Sequence, residues 1–230
     1  MEVMFDFFLS NSPKITKIIT LCCASISILT WLNIVSPLYL YINYELIFKK
    51  FEIWRIFTNF FFFGKLSTSS LFHILIFFRN SKLLEKSVFK GNSADYLYFL
   101  LFSMSFIFIF SSFFNIIFLS QSLNFAMTYY WGRKCKNTMV LVMGILNFRA
   151  PFLPIFYLIF NVILENEYKN SFIGLLVGHI YFYLKDIFPR IKRGKKLQPL
   201  KTPYSIKKFC EVCKLNNDFI FDVEEGDMIF

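Results

Sequence analysis

From Tyr96 to Leu119 the chain runs without an Asp, Glu, Lys or Arg, through Phe, Ile, Leu and Met broken only by Ser and a late Asn115. A helix of that length crosses the roughly 30 Å hydrocarbon core of a bilayer, where every peptide group must find its partner inside the segment. Five further apolar segments stand around it: Ile18 to Leu38, about Ser67 to Arg79, about Leu123 to Trp131, Thr138 to Leu164, and Ser171 to Pro189. The predicted class is an all-α polytopic membrane protein. With 56% hydrophobic residues and a mean hydropathy of +0.53, the chain is too apolar to be a soluble domain.

The net charge of +10 comes from Lys and Arg beside these segments and in the tail after Pro189, so it reports membrane topology and not a nucleic-acid partner. Arg79, Lys82, Lys86 and Lys90 follow the second segment, and Arg133, Lys134 and Lys136 the fourth. No cation stands between the third and fourth, and only Lys169 between the fifth and sixth. Cations resist translocation, so both termini are expected in the cytosol. The first connection, with Lys49, Lys50, Arg55 and Lys65, departs from the pattern. Met1 to Asn11 is too short and too weakly basic for a transit peptide, and the first span is expected to remain. The five cysteines form no framework, and Cys210-x-x-Cys213 lacks two further ligands for zinc, so no metal or cofactor is expected.

Tyr39 to Gly64 is too aromatic for an aqueous loop and predicts a segment lying in the bilayer interface, with Trp54 and Arg55 as its anchor. Asn147 and Arg149 sit near the middle of the fifth segment beside Pro151 and Pro154. An arginine in mid-span costs about 2.5 to 3.5 kcal/mol on insertion scales and must stay wet. Two readings stay open: a polar groove lined by Asn115, Asn147 and Arg149, or an arginine that snorkels where the prolines end the helix. Gly174 and Gly178 stand four apart and predict a smooth stripe for close helix packing. His73 and His179 share no readable motif with a carboxylate or nucleophile.

Six pieces, in order, resemble the Derlin family of rhomboid-like membrane proteins: VSPLYLY (Val35 to Tyr41), LIFKKFEIWRIFTNFFFFG (Leu46 to Gly64), LLEKSVFKGNSADYLYFLLF (Leu83 to Phe102), TYYWGR (Thr128 to Arg133), FRAPFLP (Phe148 to Pro154) and GLLVGHIYFYLKDIFP (Gly174 to Pro189). The resemblance implies a six-helix rhomboid-like bundle over residues 1–189, an interfacial first loop bearing Trp54 and Arg55, and the Gly174/Gly178 stripe in the sixth helix. Residues 190–230 are expected to form a disordered cytosolic tail.

Active rhomboids pair a serine of a Gly-x-Ser-Gly motif with a histidine three residues before the first stripe glycine. Here the glycines stand only at 64, 91, 132, 144, 174, 178, 194 and 226, and the histidine position is Ser171. The resemblance therefore implies a pseudoprotease of endoplasmic-reticulum-associated degradation, working on misfolded client proteins with a ubiquitin ligase complex and a cytosolic AAA ATPase. The Phe-x-Gly-x-Gly motif that recruits the ATPase in animal members is missing after Pro189, so that link is expected to be indirect. Membrane lipid is a further partner, and both homo- and hetero-oligomers are compatible with the sequence. The alternatives are a small-solute or ion transporter and an import component of another organelle.

Overall fold

A computed structural model describes residues 12–142, 146–164, 168–191, 200–213 and 215. Pro13 opens α1 (Lys14–Trp31). The first loop follows with a 3-10 turn (Pro37–Tyr39), α2 (Tyr44–Lys50) and α3 (Trp54–Phe61). Ser67 and Ser70 form a reciprocal capping box that starts α4 (Thr68–Leu83), which continues as a π-turn through Val88. Lys90 and Gly91, both at positive φ, reverse the chain, and Asn92 caps α5 (Ser93–Phe114). Asn115 ends that helix in the left-handed region at φ 53°, a conformation asparagine tolerates.

α6 (Ser120–Lys134) returns to the first end of the bundle. A β-hairpin then pairs β1 (Met139–Val142) with β2 (Leu146–Arg149), in the register Met139 opposite Arg149 and Val140 opposite Phe148. A 3-10 turn (Ala150–Phe152) leads into α7 (Leu153–Leu164). α8 (Tyr168–Phe182) runs on through a π-turn (Tyr183–Ile187) into α9 (Phe188–Ile191). The last described helix is α10 (Tyr204–Val212).

Two expectations are corrected. The segment Thr138 to Leu164 is not one interrupted span but a hairpin followed by a helix of 12 residues. Proline at 151 has no N–H to donate and restricts Ala150, so the helix starts only after it. The hairpin has two open edges, which hydrocarbon does not tolerate, so it belongs to the wet end of the bundle. The tail expected to be disordered carries α10, packed on α5.

By length and composition, α1, α5 and the continuous run Tyr168–Arg190 are long and apolar enough to cross a membrane. α6 stands at the centre, packed against α3, α4, α5, α7 and α8. At the hairpin end a knot of buried polar groups ties the outer helices together. The Glu85 carboxylate, fully buried, accepts from Thr16 N at 2.9 Å and Thr16 Oγ1 at 2.8 Å, with Ser93 Oγ at 3.3 Å. Ser81 bridges Thr16 at 2.9 Å and Tyr96 at 2.6 Å. Charge so deep persists only with such a set of donors.

Candidate functional site: a polar seam on the central helix

α6 carries two faces with different work. On one, Ser122, Phe125, Ala126 and Tyr129 meet the glycine stripe of α8. A Cβ at Gly174 would overlap the Ser122 carbonyl oxygen and come within 2.5 Å of Phe125 Cβ. One at Gly178 would lie 2.9 Å from the Ala126 oxygen and 3.1 Å from Tyr129 Cβ. The expected stripe therefore lies in contact with α6. Ser122 Oγ closes the same seam by donating to the Asn170 carbonyl at 2.9 Å.

The other face presents Gln121, Asn124 and Thr128, spaced i, i+3, i+7 on one side of the helix. Asn80 of α4 donates from Nδ2 to Asn124 Oδ1 at 2.7 Å and to Thr128 Oγ1 at 2.8 Å. Its neighbour Arg79 is half-buried, and Arg79 Nε is buried with no acceptor. Across the seam, α7 contributes Tyr157, half-buried and within electrostatic reach of Arg79. One turn on, Asn161 Nδ2 donates to Ser171 Oγ at 3.4 Å. Among the described residues α4 and α7 both pack on α6 but make no extended contact with each other. α4 and α7 thus flank a face of α6 that carries amides and hydroxyls, along which Arg79, Gln121, Asn124 and Tyr157 are only half-buried.

This is not the groove expected from sequence. Asn115 is exposed where α5 turns into α6, whereas Asn147 and Arg149 are exposed on the hairpin beyond the other end of α6. The 15 residues of α6 separate the two groups by about 22 Å. The three residues do not line one site, because the apolar run after Thr138 forms a hairpin beyond the end of α6 instead of a span beside it.

Trp54 and Arg55 also part company. Trp54 is 52% exposed on the outer face of α3, with Phe57 beside it and Phe48 and Phe51 exposed on the preceding turns. Arg55 is 3% exposed and faces inward. Its Nε donates to Glu52 Oε2 at 2.5 Å and its Nη1 to the carbonyls of Leu38 at 2.8 Å and Tyr41 at 3.3 Å, with the Tyr41 ring under the guanidinium. Sequence reading missed the residue that fastens this loop to the bundle. Asn59, fully buried, donates to the carbonyls of Leu40 at 3.2 Å and Ile117 at 2.7 Å, and accepts from Leu119 N at 2.8 Å. A lone Asn inside an aromatic run was the available signal.

Ser171 is buried among α7 and α8, and His179 lies eight residues further along, about 12 Å by helical rise. His179 is exposed, with Nδ1 2.7 Å from Tyr129 Oη, which also accepts from Arg133 Nε at 3.0 Å. That group orients a surface histidine and does not activate a hydroxyl. Cys210 is buried and Cys213 exposed, so the Cys-x-x-Cys spacing does not present two thiols together. Among the described residues no three His, Cys, Asp or Glu come together as metal ligands.

The profile of the Der1-like family matches residues 12–204. The chain is 35% identical over 214 residues to the probable derlin-2 homolog of Dictyostelium discoideum, covering 90% of this chain and 83% of that one. It is 36% identical over 187 residues to Derlin-2.2 of Zea mays, covering 76% and 74% of the two. Derlin-1.2 of Zea mays is 33% identical over 203 residues, covering 87% and 82%. With a polytopic, helical architecture in which a short central helix is wrapped by its neighbours, and a family match over most of its length, the chain belongs to the Der1-like family, the rhomboid-like membrane proteins that include the derlins.

Proposed function

We propose that the protein is a non-catalytic component of endoplasmic-reticulum-associated degradation that helps misfolded proteins return to the cytosol. The observation that carries the mechanism is the polar seam on α6, with the acceptor-free Arg79 Nε at its edge. A polypeptide entering hydrocarbon loses several kcal/mol for each unsatisfied peptide group. Arg79, Asn124 and Tyr157 bring polar groups to the side where α4 and α7 stand apart, with Asn80 holding Asn124 in place behind them. No covalent step is needed.

Helix length supports a second contribution. α6 and α7 hold 15 and 12 residues, spanning about 22 and 18 Å against a core of roughly 30 Å. Short walls favour a locally thinned bilayer beside the seam, which shortens the path of a polar client. The loop of α2 and α3 is held by Arg55 and Asn59 and turns Trp54, Phe48 and Phe51 outward, in keeping with an interfacial anchor. The cation count favours both termini in the cytosol, where a ubiquitin ligase complex and an AAA ATPase act on the emerging client. The transporter reading is motivated by an intramembrane Arg149 together with the asparagines; Arg149 and Asn147 are exposed on the hairpin and Asn115 at the other end of α6, which weakens it.

The test is the half-life of a misfolded lumenal reporter in cells that rely on this protein. Arg79→Leu together with Asn124→Leu is expected to lengthen it several-fold while the protein still inserts and accumulates. Arg149→Ala is expected to leave it unchanged. Equal half-lives in the seam variant and the parent, at equal protein levels, would sink the reading.

A further inference from the structure

α10 presents a chemistry that the client path does not use. Its nine residues, YSIKKFCEV, are too short to span, at about 14 Å, yet Tyr204, Phe209 and Val212 are 77%, 55% and 73% exposed. Around the helix axis these three fall on one arc, with the exposed Lys208 among them and the exposed Lys207 on its flank. Lys201 is also exposed just ahead of the helix, and Glu211 is the one carboxylate on it. An open recess of about 430 Å³ at the start of the helix is lined by Lys201, Thr202, Pro203, Tyr204 and Lys207.

The opposite side is pinned to the bundle. Cys210 and Leu200 are buried, the Lys185 ammonium donates to the Leu200 carbonyl at 2.9 Å, Thr202 bonds Asp95, and Ser93 Oγ donates to the Leu215 carbonyl at 2.7 Å. Ser93 and Asp95 belong to the first turn of α5, a membrane-spanning helix. The first turn of such a helix sits at the boundary between hydrocarbon and headgroups, and α10 is therefore held at that level. The apolar residues exposed on the spanning helices are covered by lipid. Those of α10 continue that belt at its edge, ringed by ammonium groups.

We propose that α10 is a bilayer-surface anchor, with Tyr204, Phe209 and Val212 sunk among the headgroups and Lys201, Lys207 and Lys208 on anionic lipid phosphates or carboxylates. Tyrosine and lysine are the residue types that suit this depth, one end apolar and the other wet. Docked in this way, α10 fixes the start of the tail against the leaflet beside α5. A lysine near an anionic surface shifts a docking equilibrium roughly fivefold, so the three together make the helix selective for that leaflet.

The experiment uses the full chain in nanodiscs of phosphatidylcholine, with or without about a third phosphatidylserine. An environment-sensitive dye is placed at Val212→Cys, with Cys22, Cys135 and Cys213 changed to serine and the buried Cys23 and Cys210 kept. Blue-shifted emission and quenching by headgroup-level nitroxide lipid are expected, both stronger in anionic discs. K207E with K208E should abolish the difference between compositions. Protection of the native Cys210 thiol, on the pinned face, from a maleimide reports whether α10 has come away from α5. Water-like, unquenched emission at position 212 with Cys210 still protected would overturn the proposal, because the exposed face would then point away from the bilayer. Equal quenching in both lipid compositions would overturn it too, since the lysines would not be reading headgroup charge.

Discussion

α5 and α6 are consecutive, antiparallel and built to opposite rules. α5 is apolar along nearly its whole length, and most of its residues face outward. α6 carries Ser120, Gln121, Ser122, Asn124 and Thr128 within its first three turns, and ten of its 15 residues are buried. In water the more apolar helix would be the inner one. In a bilayer the apolar helix is the one that touches solvent, because lipid is that solvent, and the central helix is free to be polar if its neighbours satisfy it. Hydropathy therefore measures lipid contact and misses the helix on which the seam is built.

The sharpest way to break this contrast is at the α6–α8 contact. Gly174→Leu puts a branched side chain where a single Cβ already overlaps the Ser122 carbonyl. Backbone cannot give way as a flexible side-chain tip can, so α8 must move off α6. The loss is expected to be about 3 kcal/mol or more, read as a collapse of the thermal midpoint in mild detergent and of the yield of monodisperse protein. A midpoint within a degree or two of the parent would show that α6 is not clamped in the centre.

A smaller effect is expected on the seam face. Asn80→Leu removes two donors' worth of bonding from Asn124 and Thr128 but keeps the side-chain volume. Interhelical hydrogen bonds in membranes average about 0.6 kcal/mol and reach about 1.7, so stability should fall by roughly 1 kcal/mol. Reporter turnover should fall further than stability does, since the seam loses polar surface as well as a bond. Thermal shift and half-life measured on the same variant separate the two. Loss of stability without loss of turnover would assign Asn80 to packing alone.

How much of this was readable beforehand follows from the same contrast. α5 and the glycine stripe were legible because an uncharged run and a four-residue spacing map directly onto a spanning helix and a close contact. The segment about Leu123 to Trp131 omits Ser120 to Ser122, which are helical, because polar residues in a protein-wrapped helix look like a loop to any hydropathy scale. Gln121, Asn124 and Thr128 show their common face only once the helix is known to start before them. Arg149 drew attention through its cost in lipid, but Pro151 and the hairpin place it outside, and Arg79, read as part of a basic loop, lies in the last turns of α4. Asn59 and Glu85 were invisible as a fastener and a knot because their partners are backbone and hydroxyl groups far away in sequence.

The weakest expected effect is the one that calibrates the rest. Phe113, near the end of α5, is 75% exposed. If α5 is the lipid-facing member of the pair, Phe113→Leu exchanges one lipid-soluble side chain for another, and the folded and unfolded-in-membrane states both keep it in an apolar medium. Stability should stay within about 0.5 kcal/mol and reporter turnover should be unchanged. The size of the side chain is not the reason, because an aromatic of the same type in the interior, Phe99, stacks on Tyr130 at 5.2 Å between ring centres and meets Tyr181 edge-on at 4.8 Å. Phe99→Leu should therefore cost at least 1 kcal/mol more than the change at 113. Equal costs at the two positions, measured by unfolding in the same detergent, would mean that both sides of α5 meet protein, and the division between an outer apolar helix and an inner polar one would fail.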